Sequence, residues 1–198
     1  MASMEKLRAS VRKSLPEINN IKDEALRNKV VEAWAFALSE TEFTSIDQIK
    51  PSGNPNTPPL KRGTQSDHLR GVACAAQGLA DGLERVHGDL GIDRDLLWAC
   101  GLCHDLGKPF EFSPKNQARW KKNIGAAGYP SIRHSVYGVH IALTVGLPEA
   151  VAHTAGAHSG EGELIQRSLE NTLVHFADHA YWRVMERVGL LDMSEGSK

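Results

Sequence analysis

Residues 98–109 read WACGLCHDLGKP, and this stretch decides the fold prediction for the rest of the chain. Its apolar first half is typical of a buried helix, and Gly107 and Pro109 are residue types that commonly end one. His104 and Asp105 therefore lie side by side at a predicted helix end. A polar pair in this position is either a capped helix terminus or part of a metal site.

The composition is that of one ordinary soluble domain. Of the 198 residues, 41% are hydrophobic and 24% are charged, which is sufficient to bury a core in a single domain. The net charge of −1 provides no overall field that would attract nucleic acid or a membrane surface, so neither is expected as a partner. We expect a cytoplasmic protein, because the sequence has no apolar run long enough to span a bilayer and no apolar signal segment at its N-terminus.

Apolar residues recur at helical spacing along most of the chain, and no stretch alternates as a strand would. We therefore predict an all-α fold, a helical bundle with extra N-terminal helices. The predicted divisions are a helical extension over 1–50, a proline-rich loop over 51–66, the main domain over 67–188 and a tail over 189–198. Helices are predicted over 22–40 and 67–87, between Asp93 and Gly107, from Ser131, from Pro148, and over 163–188. The apolar stripe predicted for 67–87 includes Leu79 and Leu83, and that of the last helix comprises Leu169, Leu173, Phe176, Ala177, Ala180 and Val184.

The loop predicted over 51–66 contains four prolines and two glycines, which exclude regular structure. Sixteen residues is long for a simple connection between helices. The segment could be a mobile linker or an ordered loop, and its length favours a lid or the wall of a site.

Imidazole and carboxylate side chains recur near the predicted helix ends. Buried groups of this kind need a partner or a metal ion, and groups from several helices can converge inside a bundle. Histidine with aspartate and no thiolate suits Fe, Mn, Co, Ni or Zn. Six ligands exceed the four of a tetrahedral zinc site and suit two ions, with Asp105 as the natural bridge. The residues in question are His68, His104, Asp105, His134, His158 and Asp178.

This pattern resembles the HD-domain superfamily of metal-dependent phosphohydrolases. The resemblance rests on SDHLRGVACAAQGLA (66–80), on LLWACGLCHDLGKP (96–109) and on LVHFADHAYW (173–182), and it covers roughly 64–188. The segment RHSVYGVHIALTVGLPEAVAHTAGAHSGEG (133–162) further resembles the two-metal branch, in which two more histidines act as ligands. The resemblance identifies 67–188 as the HD domain.

The resemblance implies a ligand set for each of two divalent transition-metal ions, with iron expected first and Mn, Co, Ni or Zn as alternatives. The first ion would be held by His68, His104, Asp105 and Asp178, and the second by Asp105, His134 and His158. A single-ion site, with the last two histidines contacting substrate, is the competing interpretation. His153 competes with His158, although five residues along a helix point the two side chains in different directions.

Charged residues beside this set predict an anionic small-molecule substrate. Lys108 would bind its negative group, Arg133 could assist, and Glu161 could carry a proton or lie on the surface.

Cys100 and Cys103 form a CxxC pair late in an apolar helix, where packing is expected rather than redox chemistry. A homodimer is common among small helical enzymes and is retained as one assembly that the chain could form.

The residues and the resemblance together imply three alternative functions. The first is hydrolysis of a phosphoester in a nucleotide or small phosphorylated metabolite, in which Asp105 orients or deprotonates a metal-bound water and Lys108 offsets developing charge. The second is an HD-type di-iron oxygenase that cleaves a C–C or C–P bond with O2. The third is a domain that binds a ligand without catalysis, which a missing metal ligand would indicate, and none is missing.

Overall fold

The computed structural model describes residues 2–194, and its α-helices account for most of that range. No β-strand forms within it, and Leu60 and Leu191 make an isolated antiparallel bridge. None of the described helices is long and apolar enough to cross a membrane. The α-helices are α1 (Met4–Ser14), α2 (Glu24–Ser39), α3 (Gln65–His87), α4 (Arg94–Cys103), α5 (Lys108–Phe112), α6 (Pro114–Lys121), α7 (Ile124–Ala127), α8 (His134–Val145), α9 (Glu149–Ala157) and α10 (Leu169–Arg187). Short 3-10 helices cover Pro16–Asn20, Ile46–Gln48 and Gly160–Gly162. The predicted all-α class is confirmed.

Helix α4 lies at the centre of the fold and packs against α2, α3, α9 and α10. Asp93 caps its first turn, and every residue from Ala99 to Cys103 is buried. The Trp34 indole of α2 donates a hydrogen bond to the Leu102 carbonyl at 2.9 Å. A Cβ on Gly101 would lie 2.8 Å from Ala73 Cα, so the small residues at this crossing allow α3 and α4 to approach closely.

The N-terminal helices share the hydrophobic core of the rest of the fold. Helix α1 packs on α2, and α2 packs in turn on α4 and α8. Val11, Leu15 and Trp34 are fully buried in the same apolar cluster as the residues of α4. The core therefore extends beyond the helices that carry the polar residues singled out above.

Two helix starts differ from the prediction. The last helix begins at Leu169, capped by Ser168, because residues 163–168 form turns in which the Arg167 guanidinium donates to the Ala157 and Ser159 carbonyls. Helix α8 begins at His134 and not at Ser131, since Arg133 is still extended.

The predicted apolar stripes are also partly wrong. Phe176 of α10 is 60% exposed and Val184 is 53% exposed, because the buried face of this helix includes the polar Asn171 and Asp178. Leu79 and Leu83 of α3 are exposed as well. With 23 residues, α3 is far longer than the ten-residue α4 on which it packs, so its C-terminal half is less covered.

Asp47 connects the N-terminal helices to the start of α3. Its carboxylate accepts hydrogen bonds from Ser14 at the end of α1 (2.8 Å), from Ser45 (3.1 Å) and from Ser66 and Thr64 (3.4 Å) at the start of α3. Partial burial raises the pKa of Asp47, but the hydrogen bonds from Ser66 and Ser14 outweigh it and lower the pKa below its ordinary value of 3.8. The ionised carboxylate thus stabilises the fold.

We expect Asp47→Ala to lower the free energy of unfolding by about 2 kcal/mol at pH 7, since several hydrogen bonds are lost at a site that solvent partly screens. A lowered folded-state pKa contributes stability above pH 3.8 that is lost as the pH falls through the folded value. The difference from wild type should therefore shrink in acid. Urea denaturation of wild type and variant at pH 7 and pH 3 measures this difference. An equal difference at the two pH values would show that the Asp47 charge does not stabilise the fold. Asp89→Ala, whose carboxylate accepts one bond from Gly91, is the control and should cost about 0.5 kcal/mol or less.

Candidate metal centre

Helix ends bring the polar side chains together. His104 terminates α4 and Asp105 follows it, His134 is the first residue of α8, and His158 terminates α9. His68 lies one turn inside α3, whose start is fixed by a Thr64–Asp67 capping box. Asp178 comes from the middle of α10, and all six side chains are buried. The structure thus gathers all six sequence-predicted ligands at one point.

Asp105 is the centre of the cluster, and its two oxygens face different groups. Oδ2 lies 3.4 Å from His68 Nε2 and 3.5 Å from His104 Nε2. Oδ1 lies 3.1 Å from His134 Nε2 and 3.6 Å from His158 Nε2. Asp178 Oδ1 approaches His68 Nε2 to 3.4 Å, on the Oδ2 side.

Hydrogen bonds at the opposite ring nitrogens fix the tautomer of three histidines. His104 Nδ1 is 2.7 Å from the Gly101 carbonyl, and His158 Nδ1 is 3.1 Å from the Ala155 carbonyl. His134 Nδ1 is 2.7 Å from Glu111 Oε2. Because carbonyls and carboxylates only accept, Nδ1 carries the proton in each neutral ring. The three Nε2 lone pairs are therefore directed towards Asp105.

This arrangement leaves acceptors facing acceptors. When the three rings are neutral, their unprotonated Nε2 atoms surround an ionised carboxylate, and Asp178 Oδ1 is buried without any hydrogen-bond partner. An extra proton on one imidazole would satisfy only one of these pairs. Divalent cations would supply the missing positive charge, and histidine ligands whose far nitrogen donates to a carbonyl or carboxylate are the usual arrangement in metal sites. Within the described residues two groups have ligand-compatible spacing, namely His68–His104–Asp178 and His104–Asp105–His158.

The charge states of His104 and Asp105 favour binding of a cation. Burial lowers the pKa of His104 to about 4, so this ring is neutral near pH 7. Burial alone would raise the pKa of Asp105, but Lys108 and the surrounding imidazoles hold it well below its ordinary value. The pKa of His158 is raised, because the adjacent Asp105 carboxylate outweighs the effect of burial, so at this ring a proton would compete with a bound cation. The carboxylate at the centre of the cluster is thus charged at any physiological pH.

A cavity of about 660 Å³ opens onto the cluster. Arg133 and Arg183 supply positive charge to its wall, and Glu161 lies beside Arg133, with Nε to Oε1 at 2.7 Å. Burial would raise the pKa of Glu161, but hydrogen bonds from Ser159 and Arg133 lower it to about 2. Arg133 and Glu161, both predicted near the substrate, therefore lie at the cavity as an ion pair.

Lys108 also borders the cavity, but its ammonium group is hydrogen-bonded to backbone carbonyls of the protein. The side chain is 2% exposed and donates hydrogen bonds to the carbonyls of Ser52 and Gly53, the latter at 2.8 Å. These residues belong to the proline-rich loop, whose far end is attached to the segment after α10 through Lys61 N to Leu190 O at 2.9 Å. The loop forms a fixed wall of the cavity, in which Lys108 anchors one end.

Replacing Lys108 with methionine keeps the apolar stem and removes both hydrogen bonds. Each bond to a charged donor is worth about 1.5–3 kcal/mol, so we expect amide hydrogen exchange across residues 51–60 to accelerate by about tenfold or more. Mass spectrometry of the exchanged protein measures this. Lys121→Met, at an exposed lysine 5.1 Å from the Tyr129 ring, is the control. Unchanged exchange in the loop would show that Lys108 does not hold it.

The alternative ligand His153 and the CxxC cysteines do not take part in the cluster. His153 Nε2 accepts a hydrogen bond from Ser168 N at 3.2 Å and does not reach Asp105, so the structure brings His158 to the cluster instead. Cys100 and Cys103 are unpaired and fully buried, and burial raises the pKa of Cys100 to about 12. Thiols in such an environment stay protonated and act as packing groups, so a redox role for the CxxC pair is excluded.

Four further residues lie beside the six side chains, and three of them, Gln65, Glu111 and Trp182, were not predicted from the sequence. Gln65 donates to Asp105 Oδ2 at 2.8 Å, Glu111 contacts His134, and His175 Nδ1 donates to the His158 carbonyl at 2.5 Å. The Trp182 ring lies 5.0 Å from that of His68. Gln65 and Trp182 stand three and four residues from a predicted ligand, which was an available signal, whereas nothing in the sequence pairs Glu111 with His134.

Comparison with known families agrees with this geometry. The family model described as HD domain matches residues 66–181, which include all six clustered side chains. The chain belongs to the HD-domain family. No curated protein and no solved structure gave a significant match.

HD domains bind divalent metal ions, and the family consists largely of metal-dependent hydrolases. In this member the histidine–aspartate clusters could hold such ions, and the additional α1 and α2 precede the matched region. The donor set of nitrogen and oxygen without thiolate fits a divalent transition metal.

Proposed function

We propose that this HD-domain protein is a metal-dependent phosphohydrolase acting on a small phosphoester. The observation that supports it most is the position of Asp105, whose two oxygens face separate sets of ligand atoms at the base of a cavity. His68, His104, Asp105 and Asp178 would hold one ion, and Asp105, His134 and His158 a second. Such ions supply a nucleophilic water of lowered pKa and polarise phosphoryl oxygens.

The side chains around the cavity suit an anionic substrate. Lys108, Arg133 and Arg183 are cationic, whereas Asp105, Asp178, Glu111 and Glu161 are carboxylates. Protein groups alone thus leave a small negative excess, which two divalent ions would reverse. Arg133 and Arg183 then orient the phosphate, while Asp105 holds or accepts the proton of the attacking water.

A smaller recess next to the cavity favours a substrate with a flat apolar part. It has a volume of about 320 Å³ and shares Gly53, Trp182 and Arg183 with the main cavity. Its other borders include Pro58, Leu191 and Glu186, whose carboxylate pairs with Arg183 at 2.9 Å. An aromatic ring beside a cationic group accommodates a base or aryl group joined to a phosphate. Among small phosphorylated compounds we therefore favour nucleotides and aryl phosphates.

The test combines metal analysis with assays under two atmospheres. We expect protein purified without added metal to contain up to two equivalents of a transition metal, and to release phosphate from aryl phosphates and nucleotides with or without oxygen. Full loss of activity on chelation and recovery with Mn²⁺ or Co²⁺ would support the hydrolase. Metal-loaded protein that releases no phosphate from a broad panel would reject it. Turnover that requires O2 and iron would instead favour the oxygenase.

A further inference from the structure

Glu111 is a buried carboxylate outside the predicted ligand set. It belongs to the short helix α5, is 0% exposed, and lies two turns beyond Asp105 on the side of α8. Burial would raise its pKa, but the hydrogen bond with His134 and the charges of Lys108 and Arg133 lower it, so it is ionised. A charged group without solvent contact requires strong partners.

Its two oxygens have different partners. Oε2 accepts the Nδ1 proton of His134 at 2.7 Å, and Oε1 accepts a hydrogen bond from the Arg133 guanidinium. Arg133 and His134 are consecutive in sequence and both border the cavity, where Arg133 pairs with Glu161 and His134 faces Asp105. Glu111 therefore fixes the ring orientation of one ligand and the position of the neighbouring cation together.

We propose that Glu111 is a positioning residue that couples occupancy of the second metal position to anion binding by Arg133. This rests on the proposed two-ion site. A carboxylate on Nδ1 increases the electron density at Nε2 and holds the ring in place, and loss of such a partner commonly weakens metal binding by about 10–100-fold. The same loss frees Arg133, which then remains paired with Glu161 alone.

Glutamine tests both contacts at once, because it removes the negative charge and replaces one of the two acceptor oxygens with an NH2 group that cannot accept a hydrogen bond. In a Co²⁺ titration followed by absorption we expect Glu111→Gln to weaken the second equivalent by about 10–100-fold and to leave the first nearly unchanged. For an aryl phosphate, KM at saturating metal should rise by about tenfold with a smaller change in kcat. Glu111→Asp, which keeps a carboxylate, should recover part of the second-ion affinity.

Glu161→Gln is the matched control, because Glu161 contacts the same guanidinium but not His134. Its Co²⁺ titration should match wild type. The proposal is overturned if Glu111→Gln binds both equivalents as wild type does, if it weakens both equally, or if neither Glu111 variant folds by circular dichroism. If wild type binds two equivalents of Co²⁺ and Glu111→Gln binds both as tightly, only the coupling is rejected. If wild type binds fewer than two equivalents, the two-ion site on which the coupling rests is rejected as well.

Discussion

Asp105→Asn is expected to abolish binding of at least one metal equivalent and to lower kcat/KM for phosphoester hydrolysis on the order of a thousandfold, or about 4 kcal/mol of transition-state stabilisation. The amide keeps the shape of the side chain but loses its charge and one acceptor oxygen. Since each oxygen of Asp105 faces a different set of imidazoles, one substitution affects both sets. Metal content after gel filtration and steady-state kinetics measure the two effects.

Asp81→Asn serves as the control for this variant, because Asp81 is exposed and pairs only with surface Arg94 among the described contacts. Its metal content and kinetics should equal those of wild type. If Asp105→Asn retained two equivalents and full activity, Asp105 would not be the bridge and the proposed function would fail with it.

Gly107→Ala is expected to destabilise the protein strongly although it adds only one methyl group. A Cβ at this position would lie 2.1 Å from the His134 carbonyl oxygen, a distance at which backbone must move. We expect a loss of about 3 kcal/mol or more in the free energy of unfolding, together with displacement of His134 and weakened second-metal binding. Urea denaturation of the metal-free protein isolates the steric effect from the effect on the ion.

The matched control is Gly78→Ala, a glycine in the middle of α3 that has open space around it. There alanine should stabilise the protein by about 0.5–1 kcal/mol, because it removes backbone freedom from the unfolded chain without a clash. A Gly107→Ala variant as stable as wild type would show that α5 and α8 can separate at little cost.

The sequence was sufficient to predict the helical class and the gathering of the six polar side chains. Apolar spacing predicts α2, α3 and α4 within a few residues, and the HDLGK segment places His104 and Asp105 at a helix end. The reason is local, since periodicity and helix-ending residues are read within one element.

Features that depend on long-range contacts could not be predicted in the same way. The prediction of which face of α10 is buried was wrong, because Asp178 faces the interior and Phe176 faces outwards. The role of Lys108 as an anchor depends on carbonyls more than fifty residues earlier, and the contact of Glu111 with His134 joins two separate helices. Such pairs carry no signal in a single sequence.

The six clustered side chains come from five helices spread between residues 68 and 178, and this has a consequence for folding. Any ion that they hold would link distant parts of the folded chain, and because these side chains separate on unfolding, its binding free energy would add to the free energy of unfolding. The turns at the ends of α4 and α9, whose carbonyls orient His104 and His158, must be formed before those rings can bind. Metal uptake would then follow the formation of these turns and would raise the free energy of unfolding of the whole bundle.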